Sequence, residues 1–189
     1  MFERKEKLMG LLNMFSLRRK RPNLIPAYTA ITRQARLPTH YGAGGVPDSF
    51  DGRFDMLALH VHLVLRRLRS DGIARDDIGQ ELFDIFFRDM DQAMRESGVG
   101  DLGVGKKIRK MAQAYYGRAA AYDDALGKTA PASKKTKPAL VAVLVRNLYP
   151  DTAPDADNER LEALADEVYA LEAKLQERAL DDILAGQVF

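Results

Sequence analysis

The sequence predicts an all-α fold: a single compact helical domain with a basic N-terminal segment before it and a C-terminal helical extension after it. Three observations carry this. Apolar residues recur at three- and four-residue steps in nearly every segment, the period of one helical face. Clusters of Gly, Pro and Ser fall where those segments stop. With 189 residues, 46% of them hydrophobic and 30% charged, the chain has about one domain's worth of core and an ordinary globular composition.

The organisation follows in order. Residues 1–22 form the basic segment, in which Arg4, Lys5, Lys7, Arg18, Arg19, Lys20 and Arg21 surround Leu8, Leu11, Leu12 and Phe15. A helix there would be amphipathic and suited to an anionic membrane surface, each nearby Lys or Arg contributing about 1 kcal/mol. Residues 23–128 form the main domain. Its first helix, 26–37, opens with Pro26 and stops before Pro38. The loop THYGAGGVPDSFDG leads to a helix at 53–69 that is apolar almost all round, the mark of central burial. A helix at 76–96 opens on two Asp residues and ends at Ser97 and Gly98. A Gly-rich turn, Gly100 to Gly105, delivers Lys106, Lys107, Arg109 and Lys110 onto the start of the next helix. There Ile108, Met111, Ala112, Tyr115, Ala119, Tyr122 and Leu126 make one face.

Residues 129–189 comprise linkers and C-terminal helices packing on the domain. The polar, basic stretch 127–138 reads as a linker. PALVAVLVRNLY reads as a short buried helix, although its β-branched content also suits a strand. After a second linker, 149–157, a helix over 157–184 sets Leu161, Leu164, Val168, Leu171 and Leu175 at alternating steps of three and four, a seam for another helix.

Composition excludes several functions. The absence of cysteine removes disulfides, thiolate catalysis and Cys-bound zinc or iron–sulfur centres. The apolar runs MLALHVHLVL and PALVAVLV fall well short of the roughly 20 residues that cross a bilayer. A cytoplasmic location, with peripheral attachment at the inner face of a bacterial plasma membrane, is the expectation. The net charge of +2 hides alternating blocks. Basic against acidic residues number nine to two over 1–45, seven to eleven over 46–97, nine to three over 98–137 and four to eleven over 138–189. Such blocks fit internal charge matching or separate partner-facing patches.

Candidate chemistry is sparse. GDLGVGKK, 100–107, approaches the phosphate-loop pattern, but Lys107 stands where a magnesium-binding hydroxyl belongs and a helix stands where a strand belongs. Lys106, Lys107 and Lys110 could still meet anions at a helix N-terminus, which keeps nucleotide or RNA binding as the alternative to a protein-binding role. No motif supports specific DNA recognition. His60 and His62 lie about 200° apart on one helix and cannot share a metal from it; His60 falls on the apolar side and His62 on the flank. Asp84, Asp89, Asp91 and Glu96 alternate with Arg88 and Arg95, the pattern of a solvated helix face. No elbow such as Gly-x-Ser-x-Gly positions a nucleophile. No catalytic, cofactor or metal site is therefore expected.

Three stretches resemble the ubiquinol-cytochrome c chaperone family: GVPDSFDGRFDMLALHVHLVLRRL, QELFDIFFRDMDQAMRESGVGDLGVGKKIRKM and AQAYYGRAAAYDDAL. With YTAITRQAR the likeness covers roughly 25–128, and its specificity lies in FFRDMD, RESGVGDL and YYGR occurring in that order. The resemblance implies an all-helical, non-enzymatic domain without its own cofactor. It further implies a chaperone that holds newly made cytochrome b during haem insertion and assembly of respiratory complex III. It makes the Gly-rich stretch a joint between helices. Phe86, Phe87, Arg88, Asp89, Asp91, Tyr115, Tyr116, Gly117 and Arg118 then occupy signature positions, Phe86 and Tyr115 on core faces. Arg88, Asp91, Tyr116 and Arg118 are candidates to meet the client; Lys106, Lys107, Lys110, Arg18, Arg19 and Arg21 are candidates to face a membrane or the ribosome. The last 60 residues lie outside this likeness.

Overall fold

The computed structural model of the chain describes residues 23–42, 44–70, 76–127, 137–149 and 159–189. The basic segment, with Arg18, Arg19 and Arg21, lies outside the described residues, as do most of the two linkers. Seven α-helices are described: α1 (Ile25–Ala35), α2 (Phe50–Ser70), α3 (Asp76–Glu96), α4 (Asp101–Leu126), α5 (Lys137–Leu148), α6 (Glu159–Glu177) and α7 (Leu180–Leu184). A short 3₁₀ turn, Pro38–His40, follows α1. No strand is assigned among the described residues, so the all-α expectation holds and PALVAVLV is helical.

α2 is the axle of the fold. It packs on α1, α3, α4, α5 and α6, and from Phe54 to Val64 every residue is buried. Around it α3 packs on α4, α4 on α5, α5 on α6, and α7 returns to α1. The seam of α6 is buried at all five positions, Leu161, Leu164, Val168, Leu171 and Leu175, each burial contributing ~2 kcal/mol.

Three boundaries differ from the sequence reading. α2 starts at Phe50, inside the stretch read as loop, because the Ser49 hydroxyl accepts the Gly52 amide at 3.1 Å and caps the helix. Gly52 is required there: a Cβ would lie 2.1 Å from the Pro47 carbonyl oxygen. The Gly-rich turn is shorter than read. Gly98, at φ +86°, ends α3 in a Schellman arrangement, with the Val99 amide on the Met94 carbonyl and the Gly98 amide on that of Arg95. α4 then begins at Asp101, an acid favoured in a first turn and tied to Arg95, so Gly103 and Gly105 are helical. The last helix is also two: it breaks after Glu177 and resumes as α7.

Candidate functional site

The FFRDMD and YYGR stretches meet across α3 and α4. Phe86 and Tyr115 enter the core, where Phe86 stacks on Phe54 of α2 at 5.7 Å with the rings 7° from parallel. Phe83 and Phe87, one turn apart, stay half-buried with ring centres 4.6 Å apart. Tyr116 extends the cluster outward, 5.5 Å from Phe83 and 61% exposed. Beside these rings runs an open groove of about 630 Å³, lined by Phe83, Phe87 and Ile108 and rimmed by Glu81, Asp84, Arg88 and Asp91. An aromatic floor with a charged rim is the composition of a protein-binding surface.

The candidate contacts divide. Arg88 and Asp91 line the groove, Arg88 reaching Glu81 at 3.5 Å and Asp91 pairing with Arg95 at 2.6 Å. Lys106, Lys107 and Lys110 are exposed along α4, flanking Ile108 in sequence. They are not at a helix N-terminus, since α4 starts five residues before Lys106. The first-turn amides of α4 therefore lie more than a turn before these lysines, and no loop beside them among the described residues wraps a phosphate. Arg118 turns inward. Its guanidinium lies 2.9 Å from Asp55 and 5.8 Å above the Phe54 ring. Burial pushes the Asp55 carboxyl up to about 6, against the pull of Arg118.

Other polar residues also have interior roles. His62, read as a flank residue, is buried, with Nε2 3.1 Å from Asp123. Asp123 also meets Arg66 at 3.3 Å and Arg69 at 3.0 Å. Against the cost of its partial burial, His62 and these guanidiniums hold its carboxyl below the usual range. Arg66 donates to Glu172 of α6 at 2.5 Å, both side chains almost wholly buried. Arg67 donates to the carbonyls of Leu175 and Arg178 at 2.7 and 3.0 Å, capping the end of α6. Asp89, read as solvated, accepts from Tyr28 of α1 at 2.7 Å. Burial and that bond raise the Tyr28 phenol above its ordinary value. One signal for this interior network was present: Asp55, His60, His62, Arg66 and Arg67 sit inside a helix apolar enough to be central, and buried polar groups must be partnered.

A second polar cluster joins three elements. His40 of the 3₁₀ turn, His60 of α2 and Glu167 of α6 each bring one nitrogen or oxygen to within 4.8 Å of the others. Burial lowers the His60 imidazole to about 4, so the ring is neutral. The hydrogen bond from His40 holds Glu167 below its ordinary value. No helix among the described residues is long and apolar enough to cross a membrane.

No curated protein matches the chain. In solved structures it is similar to the Cbp3 homolog from Brucella abortus, at 33% identity and a TM-score of 0.74, with 94% of each chain covered. The family model described as ubiquinol-cytochrome C chaperone matches residues 43–189. That range includes the last 60 residues, beyond the stretches that carry the resemblance in the sequence, and agrees with α5 and α6 packing on α4 and α2. The chain belongs to the ubiquinol-cytochrome c chaperone family.

Proposed function

We propose that this protein is an assembly chaperone of ubiquinol-cytochrome c reductase that engages newly made cytochrome b through the groove between α3 and α4. The observation that carries the reading is the aromatic surface left open there: Phe83, Phe87 and Ile108 line the groove, and Tyr116 stands 61% exposed at the edge of the same ring cluster. A membrane-protein client has apolar segments that need cover before assembly, and half-buried rings supply that cover at small entropic cost. Arg88 and Asp91 select polar flanks of the client. Arg118, tied to Asp55, supports the ring cluster from behind. Lys106, Lys107 and Lys110 favour approach to an anionic membrane or to the ribosome. The basic residues Arg18, Arg19 and Arg21 would add to the same attraction.

The test is photo-crosslinking in cells from positions 88, 91, 116 and 118, with mass spectrometry of the adducts. Cytochrome b is expected from 88, 91 and 116, and little from 118. If RNA or unrelated soluble proteins dominate at the first three positions, the client assignment fails.

A further inference from the structure

Three polar groups converge at His40, His60 and Glu167. His60 Nδ1 lies 2.8 Å from the Met56 carbonyl and must donate to it, which leaves Nε2 as a bare lone pair. That Nε2 is buried and has no hydrogen-bond partner. His40 repeats the arrangement: Nδ1 faces the Ala35 carbonyl at 3.4 Å, while Nε2 lies 3.0 and 3.2 Å from the two oxygens of Glu167. Gln34 donates to Glu167 Oε1 at 3.0 Å and steadies the carboxylate. A proton on His40 Nε2 would satisfy His40 and Glu167 but would leave His60 orphaned. An uncompensated buried acceptor costs about 1–3 kcal/mol. A cation placed among the three atoms satisfies all of them at once.

We propose that His40, His60 and Glu167 form a binding site for a divalent transition metal of the zinc class. Two imidazole nitrogens and a carboxylate are a known three-ligand zinc set, with a fourth position left for water. Both rings tie their other nitrogen to a backbone carbonyl, and the carboxylate has its own donor, which is how metal ligands are held in orientation. Zinc bonds of about 2.1 Å at tetrahedral angles place ligands about 3.4 Å apart, so the present separations contract on binding. Glu167, 33% exposed, is the ligand free to move. Access is provided by a pocket of about 200 Å³ beside it, lined by Thr39, His40, Tyr149, Arg160 and Glu167. The bound ion would fasten the 3₁₀ turn, the axle helix α2 and α6 to one point, clear of the α3–α4 groove.

The experiment uses the full chain, stripped with a chelator and titrated with Co²⁺ and then Zn²⁺. One equivalent of Co²⁺ should develop the intense visible bands of a four- or five-coordinate ion, and one equivalent of Zn²⁺ should abolish them. Glu167→Gln, which keeps the shape and removes the charge, should weaken Zn²⁺ at least tenfold, the low end for disturbing even an outer partner of a metal ligand. A Co²⁺ spectrum that stays that of the hydrated ion, or a variant that binds Zn²⁺ as the parent does, overturns the proposal. Should the variant fold poorly, nitrogen NMR of the parent decides. The chain has three histidines. Zn²⁺ should shift the ring nitrogens of His40 and His60 and leave those of His62, held by Asp123, in place; any other pattern refutes the site.

Discussion

Replacing Arg118 by Gln tests whether this signature residue works inside the fold. The Asp55 carboxyl is raised from 3.8 to about 6, its burial outweighing the Arg118 contact. Because the folded state holds this proton more tightly, stability falls as pH rises through the window from 3.8 to about 6. At about 1.4 kcal/mol per unit, the buried carboxylate costs ~3 kcal/mol at pH 7. Without Arg118 the carboxyl rises further, but the penalty has a ceiling: once it exceeds 7 the group takes a proton, at a total of ~4 kcal/mol. The electrostatic loss from Arg118→Gln is therefore at most ~1 kcal/mol at pH 7 and vanishes near pH 5, where both proteins carry the proton. Urea unfolding of both at pH 5, 6 and 7 measures it. Asp55→Asn should flatten the slope between pH 4 and 6 in the same assay. A loss from Arg118→Gln that is equal at all three pH values, or that appears only in client capture with stability intact, would refute an interior role.

Further substitutions separate core from surface. Phe86→Ala removes a fully buried ring stacked on Phe54 and should destabilise by ~3–5 kcal/mol in urea unfolding, whereas Tyr116→Ser, at an exposed ring, should stay within ~0.5 kcal/mol and lower only client crosslinking. Gly52→Ala forces a Cβ against the Pro47 carbonyl and should lower the melting temperature by several degrees; an unchanged value would mean the start of α2 can move. Reversing Lys106, Lys107 and Lys110 to Glu should weaken salt-sensitive binding to anionic vesicles and leave stability unchanged. ATP with magnesium should not move the melting temperature of the parent protein, and a saturable rise would favour nucleotide binding instead.

Much of the architecture was legible because period and punctuation agree. α3 runs from Asp76 to Glu96 as its opening acids and closing Ser97 and Gly98 imply. The leucine seam of α6 is buried at each expected position. What sequence hid were contacts between distant segments. Asp89 is 61 residues from the Tyr28 it accepts from, and His40 is 127 from Glu167, so neither pairing leaves a local pattern. Gly103 and Gly105 were read as turn because glycine disfavours helix by about 1 kcal/mol, yet Asp101 and the packing of α4 override that preference. The groove itself was half visible: its aromatic and charged lining follows from helical spacing on α3, but Ile108 reaches it only through the crossing of α4.

The Arg66–Glu172 contact has a consequence for how α6 can lie along α2. Leucines at every third and fourth position form a ladder that would mesh almost as well after a slip of one turn, about 5.4 Å. A guanidinium and a carboxylate buried face to face favour one alignment, because a slipped register parts Glu172 from Arg66 and leaves the guanidinium to Asp123 of α4 alone. The pair thus acts as an index pin for a greasy rail, holding α6 to a single register along α2.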